Sequence, residues 1–513
     1  MKSWFSPIVG TRLSDLFRLE RTGPARLEAH SAAGSMRQRR HFLLFFPLAI
    51  AAVLSFYSLG AKNLWLDEAI SVQFARHTLT EMWHLMMAGD PNMGLYLAML
   101  HFWLRLGTGE FMVRLLSAIM AIAAVVPVYA IGNRLFGART GIIASLLLAA
   151  NPFFVRYAQE ARSYSLFLLL ATTASYFFLK ALDKPSVRSW LLYSVVGALS
   201  IYAHFFGVWV IAVHFVSAMT FGARRALLMR VMGSQALIVL LTSPLIFPLV
   251  TVPDIHHLRL GWVARPSLDD LGNFFVDLTG GGRVLAAIYG AASAWGVFSA
   301  WTRQPRDRFE NWSYGFLLTW LFLPVIASFL FSILIKPIFV PRYLIASLPP
   351  LVLIAGAGLR SLRLVWFKLA TLLLLLAFSS RGLTNWYTEA GRYKRENWRA
   401  ATQYVLANSK ASDGVIFEQG FTRIPFEYYL HELRPQAMVA NPVWPSAPWG
   451  ALDTIAPWPS INRREYPRLW RILLYEPPTT EPRWLPRNSS GEYCLMQRQS
   501  SPYLQIMLYQ TCP

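Results

Sequence analysis

The 513-residue sequence is poor in charged residues and has almost no cysteine. Asp, Glu, Lys and Arg make up 15% of it and hydrophobic residues 55%, a composition too apolar for an ordinary soluble domain. The two cysteines form neither a Cys-x-x-Cys pair nor a cluster with histidine, which excludes a cysteine-based metal site. Acidic residues are also scarce, with 27 Asp and Glu against 48 Lys and Arg.

The apolar residues occur in long runs without internal charge. A run of roughly 20 apolar residues crosses the hydrocarbon layer as a helix, because only a helix satisfies its own backbone there. The sequence therefore predicts an α-helical polytopic membrane protein with about 11 transmembrane helices. The predicted spans are 41–60, 111–131, 141–157, 163–182, 190–207, 208–222, 235–252, 284–301, 315–335, 343–359 and 364–379.

The net charge of +21 comes from basic residues in short loops at every second connection, as the positive-inside rule requires. This placement predicts a cytoplasmic N-terminus and an extracytoplasmic C-terminus in a bacterial inner membrane, and it argues against nucleic-acid binding. The run 190–222 must then cross twice, with its turn near His204. The segment 93–106 must not cross, and we expect an interfacial helix there.

Three regions follow from this threading. Residues 1–40 are a polar, Arg-rich cytoplasmic tail predicted to be disordered, and 41–380 are the transmembrane domain, with a large first outer loop at 61–110. Residues 381–513 form a small extracytoplasmic α/β domain. Its predicted elements are a helix at 397–409, a strand at 413–419 and strands near the C-terminus, with 441–490 mostly loop.

Both cysteines, Cys494 and Cys512, fall in this last region. Disulfides form and persist outside the cytoplasm, and YCLMQ and LQIMLYQTC both read as strands. We therefore predict a Cys494–Cys512 disulfide between neighbouring strands.

Polar motifs collect at the predicted outer ends of the spans, although the threading did not use them. Their residues are Asp67 and Glu68 in WLDEAIS, Glu160, Arg162 and Tyr164 in YAQEARSYS, His204 in YAHFF, and Arg342 and Tyr343 in FVPRY. Each motif also has a structural interpretation: a helix cap, a self-paired loop, an interfacial histidine and a headgroup-facing arginine.

Together these motifs resemble the GT-C superfamily of membrane glycosyltransferases. The resemblance is to the bacterial family related to protein O-mannosyltransferases and aminoarabinose transferases, which is glycosyltransferase family 39-like. WLDEAIS is similar to its Asp-Glu signature, and further motifs extend the resemblance over about residues 41–430. One stretch departs: where many relatives have His-Pro-Pro-Leu-Tyr-Tyr, 90–96 reads DPNMGLY and keeps only Pro91, Leu95 and Tyr96.

The resemblance implies an inverting, mannosyltransferase-like transfer of a hexose. The sugar passes from a polyprenyl-phosphate donor to an acceptor hydroxyl at the extracytoplasmic face. Asp67 is the expected base, with Glu68 and Glu160 as further catalytic acids, and Glu160 would orient Arg162 or the acceptor. The donor phosphate and sugar would be bound by Arg162, Arg342, Tyr164, His204 and Tyr343.

Several alternatives stay open from the residues. The sequence predicts no metal ligands, yet some members of the superfamily use a divalent cation. The acceptor is a protein, a lipid or a glycan. A polytopic lipid or glycolipid transporter (a flippase) and a non-catalytic glycolipid-binding member are the other functions, the latter because of the altered 90–96 stretch. Transporters usually carry charges at midplane, whereas these spans are nearly free of charge.

Overall fold

The computed structural model describes most of the chain. The described residues are 29–88, 91–220, 225–251, 263–280, 282–303, 307–388, 396–410, 412–417, 420–433, 441–444, 466–474, 493–501 and 503–512. Of the predicted tail 1–40, residues 1–28 lie outside this part of the chain, and Ala29 begins the first helix.

Helices account for most of the described residues. They are α1 Ala29–Phe56, α2 Leu66–Arg76, α3 Leu79–Ala88, α4 Gly94–Trp103, α5 Glu110–Phe136, α6 Ala138–Ala149, α7 Pro152–Ala158, α8 Tyr164–Asp183, α9 Val187–Ala203, α10 Gly207–Thr220, α11 Arg225–Thr251, α12 Leu268–Thr279, α13 Arg283–Thr302, α14 Arg308–Leu334, α15 Leu348–Ser361, α16 Val365–Tyr387, α17 Trp398–Asn408 and α18 Arg423–Leu433.

The predicted membrane class is confirmed. Among the described residues, seven helices are long and apolar enough to cross a bilayer, or eight if the bent pair α6–α7 counts as one span. Three shorter apolar helices, Leu43–Phe56, Val187–Ala203 and Gly207–Thr220, also coincide with predicted spans. The count of eleven and the orientation of the termini stay predictions. The short helix α4 lies entirely within 93–106, the segment that was predicted not to cross the membrane.

The predicted span 141–157 is broken rather than straight. Helices α6 and α7 meet at an angle of 63°, because Pro152 has no N–H to continue the helix. The Asn151 side chain caps the new helix by accepting a hydrogen bond from Phe154 N–H at 2.9 Å. Its amide nitrogen donates to the Leu278 and Thr279 carbonyls at the end of α12. The break therefore sends the chain into the loop that carries Glu160 and Arg162.

Glycines allow close helix crossings in the bundle. A Cβ at Gly132 would lie 2.7 Å from Gly141 Cα, where α5 meets α6. A Cβ at Gly358 would lie 1.8 Å from the Ala292 carbonyl oxygen, where α15 meets α13. Close backbone approach through small residues is the usual way in which membrane helices associate.

Basic residues group at one end of this bundle. Arg134 at the end of α5 pairs with Asp183 at the end of α8, 2.5 Å apart, and Arg360 donates to the Phe136 carbonyl. Arg303 pairs with Glu310 at 2.8 Å. The grouping agrees with the positive-inside assignment of these connections.

The chain divides into two compact units. The first contains Met1–Tyr57, Leu79–Met99 and Arg114–Thr384, and the second contains Ser58–Thr78, Leu100–Val113 and Asn385–Pro513. The predicted boundaries at 40 and 380 stay predictions.

The second unit contains the predicted small α/β fold. Its strands are β1 Gly414–Phe417, β2 Asn441–Trp444, β3 Arg468–Leu474, β4 Tyr493–Ser500 and β5 Leu504–Thr511, in the order β2-β1-β3-β5-β4. β1 pairs in parallel with β2 and β3, whereas β5 pairs antiparallel with β3 and β4.

The stretch 441–490 was predicted to be mostly loop, and this prediction missed the central strand β3. Within this stretch the structure describes only 441–444 and 466–474. The β3 sequence RLWRILL is a short apolar run that begins with Arg468 and contains one buried arginine, Arg471. Trp470 is fully buried and its indole N–H donates to Asp413 at 2.9 Å. A short apolar run flanked by prolines is typical of a buried strand.

The first outer loop is anchored inside the second unit just before Asp67. Leu64 N–H donates to the Tyr429 hydroxyl at 2.7 Å, and this hydroxyl donates to Glu110 Oε1 at 2.9 Å. Leu66 N–H donates to Glu396 Oε2 at 3.2 Å. The start of α2 is therefore positioned by residues more than 300 positions further along the chain.

Cys494 and Cys512 are joined by a disulfide, with Cα atoms 5.2 Å apart. The bond connects the edge strand β4 to the end of its neighbour β5. Closing a loop of this length stabilises a fold by roughly 3 kcal/mol in the chain-entropy model.

We expect peptides containing Cys494 and Cys512 to remain linked when the protein is purified from membranes without reductant. Non-reducing mass spectrometry after digestion measures this directly. Two alkylatable thiols would contradict the bond, and labelling of either cysteine from the cytoplasmic side would also contradict the orientation.

We expect Tyr429→Phe to loosen the segment before Asp67, because the buried Leu64 N–H and the Glu110 carboxylate each lose a partner. The cost is roughly 1–3 kcal/mol. Hydrogen exchange should rise at residues 62–68. Tyr404→Phe is the matched control, since the Tyr404 ring packs edge-on against Trp470 and its hydroxyl makes no hydrogen bond among the described residues. Equal exchange in both variants would refute the anchoring role.

Candidate functional site

Three connections of the first unit meet at the end of the bundle opposite the basic group. They are the loop 159–163 between α7 and α8, the turn 204–206 between α9 and α10, and the 3-10 turn Pro341–Ser347 before α15. Gly207 permits the tight turn, since a Cβ there would lie 2.9 Å from the backbone of Ser200 and Ile201. The turn lies where the sequence predicted it.

His204 is the centre of this group. It is buried, and aromatic rings enclose it: Tyr343 at 4.9 Å, Phe167 and Phe206 at 5.3 Å and Tyr164 at 6.2 Å between ring centroids. Of the predicted donor-binding residues, Tyr164, His204 and Tyr343 therefore lie together.

Arg162 and Arg342 bring positive charge to the same place. Each guanidinium lies near the tyrosine that follows it in the sequence, 6.0 Å from the Tyr164 ring and 5.5 Å from the Tyr343 ring. Burial, together with the charges of Arg162 and Arg342, lowers the pKa of His204 to about 3. The imidazole is therefore uncharged at neutral pH, and both arginines are close enough to repel a proton from it.

The backbone of Arg162 is held in place by a short chain of hydroxyl groups. The Ser117 hydroxyl donates to the Arg162 carbonyl at 3.2 Å, and the Tyr96 and Ser117 hydroxyls lie 2.9 Å apart. On the other side of the loop, the Gln159 amide donates to the Tyr57 carbonyl at 2.8 Å. Hydrogen bonds from Ser117 and Gln159 therefore fix the position of the loop from which the Arg162 side chain extends.

Glu160 lies in the same loop and is almost fully buried. The Nε atom of Arg156 is 3.7 Å from Glu160 Oε1. Arg156 is half exposed and was not among the predicted site residues. Its position four residues before Glu160 is the sequence signal that could have identified Arg156 as an ion-pair partner of Glu160.

Asn92 is a second residue that the sequence reasoning missed. Its Oδ1 accepts hydrogen bonds from Phe205 N–H and Met93 N–H, both at 3.1 Å, and its Nδ2 lies 3.5 Å from His204 Nε2. Asn92 belongs to the stretch that departs from the family pattern, and that departure was the available signal.

Asp67 and Glu68 belong to the second unit, in the first turn of α2. Glu68 is fully buried, and its Oε2 accepts a hydrogen bond from Trp65 N–H at 3.3 Å. Asp67 is partly exposed, and its carbonyl accepts from the Ser71 hydroxyl at 2.9 Å. Carboxylates in a first turn are stabilised by the helix dipole. Asp67, for which a helix cap was the structural interpretation, lies in this turn, whereas the N-cap residue is Trp65.

A divalent cation needs several converging oxygen or nitrogen ligands. Within the described residues, no group of three or more His, Cys, Asp or Glu side chains has that arrangement. The described residues therefore contain no complete set of protein ligands for a resident cation, and no step of the chemistry below passes through one.

Comparison with protein families supports the resemblance seen in the sequence. Residues 90–248, about a third of the chain, match the family model described as dolichyl-phosphate-mannose-protein mannosyltransferase. A search of curated proteins finds no matching sequence.

Solved structures share the fold. ArnT from Cupriavidus metallidurans in the apo state is similar with a TM-score of 0.58 at 14% identity, covering 93% of this chain and 98% of ArnT. The same protein bound to undecaprenyl phosphate gives 0.57 at 15%, covering 90% and 97%. The oligosaccharyltransferase AglB from Archaeoglobus fulgidus, in complex with an inhibitory peptide and a dolichol-phosphate, gives 0.50 at 11%, covering 79% and 65%.

The match covers the segment from the altered 90–96 stretch through α11, which includes Arg162 and His204. The likeness in fold extends over nine-tenths of the chain. The chain therefore has the fold of the GT-C membrane glycosyltransferases, and its residues 90–248 are similar to the mannosyltransferase family model.

Proposed function

We propose that this protein transfers a sugar from a polyprenyl-phosphate-linked donor to an acceptor hydroxyl, with inversion at the anomeric carbon. The observation that carries the proposal is the convergence of Arg162 and Arg342 on the uncharged His204. Two guanidinium groups beside a neutral imidazole suit a phosphate ester, because guanidinium forms paired hydrogen bonds to phosphate oxygens. The lipid phosphates bound in the ArnT and AglB structures support the same class of donor.

The chemistry needs one proton acceptor and one stabilised leaving group. As the acceptor oxygen forms its bond to the anomeric carbon, the bond from that carbon to the phosphate oxygen breaks. The acceptor hydroxyl gives its proton to the Asp67 carboxylate, and positioned bases of this kind contribute about 10²–10⁴-fold. The polyprenyl phosphate leaves as an anion and needs positive charge rather than a proton, which is the role proposed for Arg162 and Arg342.

The other predicted residues have supporting roles in this proposal. Glu68 holds the start of α2, which carries Asp67. Glu160 balances the charge of Arg156 and keeps the 159–163 loop in place. Tyr164 and Tyr343 lie beside the arginines; the buried Tyr164 supports the site, and the partly exposed Tyr343 is the ring proposed to pack against the sugar. The proposed location is the extracytoplasmic side of a bacterial inner membrane.

Asp67→Asn tests the base. The variant keeps the size and hydrogen-bonding capacity of the side chain, so we expect normal insertion into the membrane. Turnover of a polyprenyl-phosphate hexose by the purified protein should fall at least about 100-fold. Asp269→Asn is the matched control, because Asp269 is the exposed second residue of α12, as Asp67 is the second residue of α2. Near-normal turnover of Asp67→Asn would remove Asp67 from the mechanism.

The arginines should affect donor binding as well as rate. We expect Arg162→Ala and Arg342→Ala each to weaken binding of undecaprenyl phosphate by roughly 10–100-fold, the range for hydrogen bonds between charged groups. Lysine should rescue only partly, since it lacks the planar fork. The control is Arg303→Ala, an exposed arginine paired with Glu310 at the other end of the bundle. Unchanged affinity in both alanine variants would contradict the phosphate assignment.

A further inference from the structure

The protonation of His204 follows from its hydrogen bonds. Phe206 N–H donates to His204 Nδ1 at 3.2 Å, so this nitrogen is an acceptor and has no hydrogen. A neutral imidazole has one acceptor nitrogen and one N–H. Nε2 of His204 therefore carries the hydrogen and is a donor.

The orientation of the Asn92 amide is also determined by its neighbours. Its oxygen accepts from two backbone N–H groups, those of Phe205 and Met93, at 3.1 Å each. The flipped amide would place its NH2 group against both of these donors, which is unfavourable. The nitrogen that faces His204 is therefore the donor Nδ2.

Two donors consequently face one another. Asn92 Nδ2 and His204 Nε2 are 3.5 Å apart, and since both carry hydrogen, neither can accept from the other. An oxygen atom about 2.9 Å from each nitrogen would accept both hydrogens with ordinary geometry. We call this arrangement the Asn92–His204 donor pair.

We propose that the Asn92–His204 donor pair binds a phosphate oxygen of the polyprenyl-phosphate donor. The inference rests on the proposed function and adds to it a residue that the family motifs do not mark. A phosphate oxygen only accepts hydrogen bonds, whereas a sugar hydroxyl would also need an acceptor for its own hydrogen. The two cationic groups that act on His204, Arg162 and Arg342, favour an anion at the same position.

The donor pair gives the divergent 90–96 stretch a part in the site. Asn92 contacts the His204 turn, and four residues later Tyr96 reaches Ser117 and through it the Arg162 carbonyl. One short segment therefore touches two of the three connections that carry the proposed phosphate ligands, the His204 turn and the Arg162 loop. A change in this segment would alter the phosphate site without changing either arginine.

Asn92→Asp is the most direct test. It keeps Oδ1 for the Phe205 and Met93 N–H groups and replaces only the donor nitrogen with an oxygen, which then repels phosphate. His204→Phe removes the Nε2 donor but keeps a ring, and His204→Gln restores a donor amide. Asn408→Asp adds the same charge at an exposed position in α17 and is the matched control. Thermal melting of each purified variant checks that the fold is retained.

Binding is measured for two probes, undecaprenyl phosphate and a polyprenyl-phosphate hexose, without any transfer reaction. We expect Asn92→Asp and His204→Phe to bind both probes roughly 10–100-fold more weakly than wild type, His204→Gln to recover part of the loss, and Asn408→Asp to bind normally.

The other outcomes separate this inference from the proposed function. Unchanged binding of both probes by folded Asn92→Asp and His204→Phe would overturn the donor pair and leave the proposed function standing. Weaker binding of the hexose probe alone would overturn the phosphate assignment and make the sugar the ligand of the pair. If the wild-type protein binds neither probe, the proposed function fails and the donor pair fails with it.

Discussion

The site in the first unit depends on an imbalance of charge around one buried ring. Two guanidinium groups act on His204, and burial removes the water that would otherwise stabilise a third positive charge. The imidazole stays neutral, and the hydrogen bond that its Nδ1 accepts from Phe206 N–H sets the tautomer, which leaves Nε2 as the donor. The aromatic residues around it maintain this state because they exclude water while leaving the arginines partly exposed.

The positions of these groups follow from the constraint that a membrane places on the backbone. A spanning segment has to satisfy its own hydrogen bonds, so irregular backbone and polar side chains are concentrated at helix ends. The loop 159–163, the turn 204–206 and the Pro341–Ser347 turn are all such ends. The break at Pro152 extends this pattern, because it ends one helix early and leaves room for a second, short helix that leads into the Glu160 loop.

Much of this arrangement could be predicted from hydropathy and charge. Apolar runs identified the helices, and the alternation of basic loops predicted the turn at His204. That 93–106 does not cross the membrane stays a prediction. Hydropathy averaged over a whole span could not reveal the bend at Asn151–Pro152, because the average does not respond to a single capping residue. It also missed β3, because two arginines interrupt this short apolar run. The divergent 90–96 stretch pointed to the region of Asn92, but its contact with His204 and that of Ser117 with Arg162 could not be predicted, since tertiary packing alone brings these residues together.

The anchoring of the acidic helix has a consequence for how the protein is made. Leu64 and the tyrosine that receives its N–H are 365 residues apart in the chain. At a synthesis rate of about 5–20 residues per second, the ribosome needs roughly 20–70 s to reach the second partner after the first has emerged. During this interval the membrane helices are assembled one after another while the segment that carries Asp67 has no final support. The acidic helix therefore reaches its native position among the last elements of the second unit, because the tyrosine and the glutamate that anchor it are among the residues made late.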